Sequence, residues 1–357
     1  MNHVGSTWAA RGVFYALAAA VLFGASTPFA KLLVGRMDPV LLAGLLYLGS
    51  GLGLLVWHWL GNRRRGSSPE APLRRADLPW LAGAVLFGGV VAPVLLMTGL
   101  ASTPGSTASL LLNLEGVLTA LLAWFVFREN FDRRIAFGMA AITAGGVLLS
   151  LEGRTEETGL PVGALAIAGA CLAWAIDNNL TRKVSAGDPV QIAMIKGLIA
   201  GTVNLSIALA RGAELPGTWT VVACGGVGLA GYGISLTLFV LALRNLGTAR
   251  TGAYFSVAPF VGAAISIPLL GDRPTINFFV AAALMGLGIW LHLTERHSHE
   301  HDHEALSHEH SHVHDEHHRH EHGADDPPGE PHSHPHHHPP MRHTHPHYPD
   351  IHHRHGH

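Results

Sequence analysis

Histidine poses the first chemical question. Of 27 histidines in the chain, 24 fall within residues 297–357. His297, His299, His301 and His303 alternate with other residues, and His308, His310, His312 and His314 repeat the pattern. His332, His334, His336, His337 and His338 form a third block, followed by His343, His345 and His347. In an extended chain alternate side chains point the same way, so each block can offer several imidazoles to one ion. Neutral imidazole suits nickel, cobalt, zinc and copper. Interleaved Asp302, Glu304, Glu309, Asp315 and Glu316 add cation-attracting charge. The expectation is a divalent transition metal held by this segment, with no cofactor required elsewhere. Because imidazole titrates near pH ~6.5, a pH-responsive polyelectrolyte and a plain spacer are the competing readings.

The second set of reactive groups is sparse and lies in apolar surroundings. An ionisable side chain in a bilayer costs on the order of 2.5–3.5 kcal/mol on insertion scales unless paired or hydrated, so each is a candidate for function. Glu115 falls inside an apolar run, with Ser109, Leu112, Gly116 and Thr119 around it at helical spacing. It reads as a proton or cation site facing a cavity, or as a carboxylate hydrogen-bonded between helices. Lys196 and Asp177 are expected in the cytoplasmic half of two other spans. They either pair with each other, or Lys196 holds an anionic substrate. Asn113, Asn178, Thr119 and Tyr232 add polar capacity, each of which could equally serve interhelical bonding. Cys171 and Cys224 lie in apolar runs without metal or redox spacing and read as small buried residues.

These groups need a scaffold, and composition indicates an all-α integral membrane protein. Charged residues are only 13% of the chain, and many of those belong to the tail. Most helical stretches are apolar all round, unlike the amphipathic helices of a soluble domain. Spans of roughly 20 residues cross a bilayer. They are predicted near 12–34, 38–60, 78–100, 104–127, 133–151, 160–181, 188–210, 217–243, 248–270 and 274–294, giving ten transmembrane helices. Asp38-Pro39, Asp188-Pro189 and Asp272-Arg273-Pro274 punctuate the connections. Pro28, Pro93 and Pro259 lie inside spans and free backbone carbonyls beside a cavity. Gly49-x-x-x-Gly53 and Gly197-x-x-x-Gly201 permit close helix packing. His58, between Trp57 and Trp59, reads as part of an interfacial belt. Glu129 and Asp272 read as helix-end charges.

Basic residues set the orientation. With the N-terminus inside, the inner segments carry Arg11, Arg63, Arg64, Arg65, Arg74, Arg75, Arg128, Arg133, Arg134, Arg182, Lys183, Arg244, Arg250 and Arg296. The outer segments carry only Lys31, Arg36, Arg154, Arg211 and Arg273. Both termini are therefore expected in the cytoplasm of a multi-pass inner-membrane protein. The tail, poor in apolar residues, is expected to be disordered.

The halves overlay weakly. A shift of about 150 residues places Asp38-Pro39 on Asp188-Pro189. A shift of about 143 places Leu114-Glu115-Gly116 on Val257-Ala258-Pro259 and Gly145 on Gly288. Five helices per unit reverse orientation on tandem duplication. The predicted organisation is thus two inverted five-helix repeats, 12–151 and 160–294, followed by the cytoplasmic tail 297–357. Inverted repeats suit alternating access about a midplane site.

The segment Ala108-Ser-Leu-Leu-Leu-Asn-Leu-Glu-Gly-Val-Leu-Thr-Ala-Leu-Leu-Ala-Trp-Phe-Val-Phe-Arg-Glu129, followed by the helix through Gly145-Gly146, resembles the EamA-type permeases of the drug/metabolite transporter superfamily. The family's usual Glu-Pro is Glu115-Gly116 here, and the second half keeps Pro259 but has Ala258. Over residues 12–294 the resemblance implies ten helices, two repeats and secondary transport of small solutes, without naming the solute. The leading expectation is an exporter with a metal-binding tail, whose cargo is a divalent metal such as nickel, cobalt or zinc. The alternative is an exporter of a small organic metabolite or amino acid whose tail only senses or buffers metal. A membrane-anchored metal store ranks third. No enzyme constellation is found in the spans, and no nucleotide or nucleic-acid motif. The partners expected are the lipid bilayer and a small-molecule or metal-ion substrate, with a homodimer left open.

Overall fold

Aspartate and proline open helices in both halves. In the computed structural model, the carboxylate of Asp38 accepts the backbone N–H groups of Val40 and Leu41 at 2.9 and 3.1 Å. Asp188 does the same for Val190 and Gln191 at 2.9 and 3.2 Å. Each caps two orphan donors while the following proline, lacking an N–H, starts the helix. The structure describes residues 3–65, 73–127, 133–152, 162–185 and 187–293, together with the backbone of four short tail segments.

The helices are α1 His3–Val34, α2 Pro39–Arg65, α3 Leu78–Ala84, α4 Ala92–Ser102, α5 Gly105–Leu111, α6 Leu114–Phe127 and α7 Arg133–Glu152. They continue with α8 Val162–Val184, α9 Pro189–Ala210, α10 Thr218–Gly228, α11 Ser235–Phe255, α12 Ala258–Leu270 and α13 Ile276–Leu293. Seven helical stretches among the described residues are long and apolar enough to cross a membrane. Ala136–Leu149 and Ile276–Leu291 are shorter apolar helices. The exterior is apolar, with Trp57 70%, Trp219 86% and Ile276 83% exposed. In water those surfaces would be costly; in lipid they are the solvent-matched face.

Several predicted spans are not plain α-helices. The stretch at 78–100 contains a π-helical segment, Val85–Val91, between α3 and α4. Pro93 explains part of it. Lacking an N–H, it cannot bond back into the turn containing Gly88 and Gly89. A second π-helical segment, Leu229–Ile234, lies between α10 and α11.

The span at 104–127 is broken at Leu112–Asn113, where tighter bonds run from Leu112 N to Ser109 O at 3.2 Å and from Asn113 N to Leu110 O at 3.0 Å. The Asn113 side chain also donates to Leu110 O, at 3.0 Å, competing for the carbonyl that would continue the helix. The span at 248–270 is broken at Ser256–Val257, just before Pro259. The predicted connection at 244–247 is helical instead, because Gly247 alone is too weak a breaker to end α11.

α2 and α9 cross at glycines. A Cβ on Gly197 would meet Gly51 N at 2.6 Å, and one on Gly44 would meet Leu205 N at 2.6 Å. Gly53 instead packs on Leu229. α1 packs on α11 and α12, α8 on α4 and α6, and α7 on α13.

In the tail, where no regular structure was expected, the backbone forms four strands: β1 Ser298–His303, β2 Leu306–His312, β3 His332–His338 and β4 Met341–Pro346. β1 pairs with β4 and β2 with β3, both antiparallel. Two-stranded ladders are marginal on their own in water. The tail histidines named above lie outside the residues whose side chains are described, and so does Glu129.

Candidate functional site

α8 carries Trp174, Asp177, Asn178 and Thr181 at spacings of three and four, which puts all four on one helical stripe. Trp174, Asp177 and Asn178 of that stripe line a cavity of about 60 Å³. α11 and the π-helical segment before it supply Tyr232, Ser235, Leu236 and Phe239, again at spacings of three and four. Phe23 enters from α1, Tyr47 from α2, Glu115 from α6, Lys196 from α9 and Phe255 from the end of α11.

Glu115 and Asn178 meet across the cavity wall. Asn178 Nδ2 donates to Glu115 Oε1 at 2.7 Å. The break at Leu112–Asn113 places Glu115 in the first turn of α6, not in mid-helix as the uninterrupted span predicted. Backbone N–H groups of a first turn are partly unsatisfied and favour a nearby negative charge.

Lys196 Nζ forms an ion pair with Asp177 Oδ2, and Thr181 Oγ1 donates to Asp177 Oδ1 at 2.9 Å. The pairing reading of these two residues holds. Lys196 is therefore charge-compensated within the protein. Asp177 also lies against Gly88, where a Cβ would overlap the carboxylate.

The π-helical segment contributes backbone carbonyls. Gly88 O accepts from Tyr47 OH at 2.7 Å and from Trp174 Nε1 at 3.1 Å. Gly89 O accepts from Asn204 Nδ2 at 3.1 Å. Carbonyls released from the ladder thus anchor side chains from α2, α8 and α9, which satisfies buried polar groups that would otherwise be costly.

Aromatic rings make up much of the remaining wall. Phe23 stands at 80° to Trp174 with centroids 5.6 Å apart, and at 74° to Tyr232 with centroids 5.9 Å apart. Tyr47 and Tyr232 are 5.2 Å apart, and Phe23 and Phe255 are 5.5 Å apart.

Of the seven residues singled out from the sequence, Glu115, Lys196, Asp177, Asn178 and Tyr232 line this one cavity. Asn113 and Thr119 do not. Asn113 turns toward Leu110 O and Met285 Sδ, and Thr119 Oγ1 is buried with no hydrogen-bond partner among the described residues. Sequence reasoning missed Phe23, Tyr47, Ser235, Phe239 and Phe255 as lining. The stripe from Tyr232 through Phe239 had a legible helical spacing, whereas Phe23 and Tyr47 had no local signal. Asp272 does act as a helix-end charge, but for a distant helix: it accepts Ser106 N at the start of α5 at 2.7 Å. Lys31 Nζ donates to Leu100 O at the same end of the molecule. Among the described residues, no group of three His, Cys, Asp or Glu stands together as a metal site.

Comparison with known proteins gives consistent matches. Residues 10–151 and 161–294 each match the EamA-like transporter family. An uncharacterized transporter of Methanothermobacter thermautotrophicus is 29% identical over 293 residues, covering 78% of this chain and 85% of that protein. The uncharacterized inner membrane transporter YedA of Escherichia coli is 26% identical, covering 73% of this chain and 83% of YedA. A probable 4-amino-4-deoxy-L-arabinose-phosphoundecaprenol flippase subunit, ArnE, of Pseudomonas paraeruginosa is 38% identical over 116 residues, 32% of this chain and 96% of ArnE. A solved crystal structure superposes with a TM-score of 0.60 at 17% identity, covering 78% of this chain and 94% of that one. It shares the fold.

Proposed function

This chain belongs to the EamA-like transporter family, and from that premise we propose that it is an ion-coupled exporter of a small organic solute. The carrying observation is the composition of the cavity. It draws on α1, α2 and α6 from the first half and on α8, α9 and α11 from the second, and it holds one carboxylate, Glu115, that no lysine or arginine among the described residues neutralises directly. A site built between two halves is what alternating access requires. Glu115 is the residue we assign to coupling, because a mid-membrane carboxylate that can gain and lose a proton ties flux to a gradient.

An organic cargo is preferred to a bare metal ion, since the wall is aromatic and the described residues hold no His, Cys, Asp or Glu cluster. The tail keeps its assigned metal affinity, with nickel, cobalt or zinc as a signal or a buffer at the inner mouth. Both termini are assigned to the cytoplasm.

The halves are assigned as inverted five-helix repeats, giving ten spans. Supporting this, the π-helical segments begin at Val85 and Leu229 and the helix breaks begin at Leu112 and Ser256, each pair 144 residues apart. The packing partners are also exchanged between halves: α1 lies on α11 and α12 as α8 lies on α4 and α6, while α2 meets α9 and α7 meets α13.

The test is a flux screen in inside-out membrane vesicles with an imposed pH gradient. Organic ammonium ions, zwitterionic amino acids, carboxylates, nickel, cobalt and zinc are offered separately. Accumulation above vesicles lacking the protein, and lost in Glu115→Gln, is expected for one organic class. Flux of none of these solutes would overturn the transport reading, and flux of metal alone would restore metal as cargo.

A further inference from the structure

We propose that the solute recognised by this cavity is an organic ammonium ion with a compact apolar body, a claim that rests on the transport reading above and specifies its substrate class. Among the described residues, three charged side chains line the cavity. Asp177 and Lys196 neutralise each other, and Thr181 further satisfies Asp177. Among the described residues, Glu115 when ionised therefore leaves one net negative charge on the wall. Its bond from Asn178 engages Oε1, and a carboxylate can accept at both oxygens. An anionic solute would meet that charge without a free lysine to answer it. A neutral solute would leave it uncompensated in a low-dielectric space.

The rest of the wall suits a cation. Aromatic faces attract ammonium groups, and aromatic cages are a recurring way to hold them. Here Phe23 stands nearly perpendicular to both Trp174 and Tyr232, as in the corners of a box and unlike a flat stack. Two of the rings are fixed in advance. Trp174 Nε1 and Tyr47 OH are both tied to Gly88 O, the carbonyl released by the π-helical segment. Their polar ends are thus occupied by backbone, and little ordering is left for the moment of binding. The cavity is small, which favours a compact headgroup.

The experiment uses the full chain in detergent and in proteoliposomes. Choline and tetramethylammonium are compared with 3,3-dimethylbutan-1-ol, the neutral isostere of choline, and with acetate, following intrinsic tryptophan fluorescence and the thermal midpoint. Choline or tetramethylammonium is expected to bind at least about tenfold more tightly than the neutral isostere. Glu115→Gln should remove most of choline's advantage over its isostere, leaving the part supplied by the rings. Trp174→Phe, which keeps a ring while weakening the cation–π term, should weaken choline binding and leave the isostere unchanged.

The comparison of charged and neutral probes on the wild-type chain needs no variant to fold. Equal binding of choline and its isostere, or preferential binding of acetate, overturns the ammonium assignment. Glu115-dependent flux of a carboxylate or a neutral solute, with no competition from choline, overturns it while leaving the transport reading intact. Absence of flux for every solute in the screen is the separate outcome that would remove the transport reading itself.

Discussion

Asp177 on α8 and Lys196 on α9 form an ion pair whose side chains are only 5% and 3% exposed. Removing one partner of such a pair strands a buried charge, which costs about 3–5 kcal/mol, whereas replacing both with apolar groups is often close to neutral. Lys196→Met and Asp177→Leu should each lower the thermal midpoint of the purified protein strongly, and the double variant should recover most of the loss. Additive losses in the double-mutant cycle would mean that the two residues act separately.

Gly88 is where the π-helical segment lets α8 approach, and a Cβ there would overlap the carboxylate of Asp177. Overpacking of this kind costs about 1–3 kcal/mol. Gly88→Ala should destabilise the protein, and Gly88→Ala combined with Asp177→Ala and Lys196→Met should relieve part of that. Gly226, where an added Cβ meets nothing within 4 Å, provides the control: Gly226→Ala should leave the thermal midpoint within error. Equal effects of Gly88→Ala and Gly226→Ala would contradict the steric account.

Glu115→Gln preserves shape and the ability to accept from Asn178, so insertion and yield should match wild type. Flux driven by a pH gradient should fall at least about tenfold, which corresponds to ~1.4 kcal/mol of lost coupling. Glu115→Asp, keeping the charge on a shorter arm, should retain partial flux. Full pH-driven flux in Glu115→Gln would reduce Glu115 to a packing residue.

The helical part ends at Leu293 in α13, so deletion of residues 297–357 should leave insertion and the thermal midpoint unchanged. The tail as a peptide should bind several nickel or zinc ions at pH 7.5 by calorimetry. Imidazole binds metal when neutral, so affinity should fall as pH drops through ~6.5 and most metal should be released near pH 5. No heat of binding at pH 7.5 would leave the polyelectrolyte and spacer readings.

The proposed orientation rests on the placement of basic residues. A reporter enzyme active only outside the cytoplasm, fused after His357, should stay silent. The same reporter inserted after Glu214, in the connection before α10 that this orientation places outside, should be active. The reverse pattern would invert the assigned topology.

The sequence by itself determined what depends on local physics. Apolar runs of bilayer length marked the helices, and Asp38-Pro39 and Asp188-Pro189 marked two of their starts, because a cap and a missing N–H act within one turn. The cost of burying charge singled out Glu115, Asp177 and Lys196 before any fold was known. Pro93 signalled released carbonyls in its span, though not which side chains would take them. Only the tertiary structure decided that Tyr47 and Trp174 share Gly88 O, that Asn178 reaches Glu115, and that Phe23 from α1 stands against Tyr232 before α11. It also decided that Asn113 turns to Leu110 O and Met285 Sδ and that Thr119 is not part of the cavity lining. The physical reason is the uniform apolarity of these helices. A soluble amphipathic helix writes its buried face into the sequence, whereas a membrane helix is apolar toward both lipid and protein, so its orientation is fixed by packing with neighbours far away in the chain.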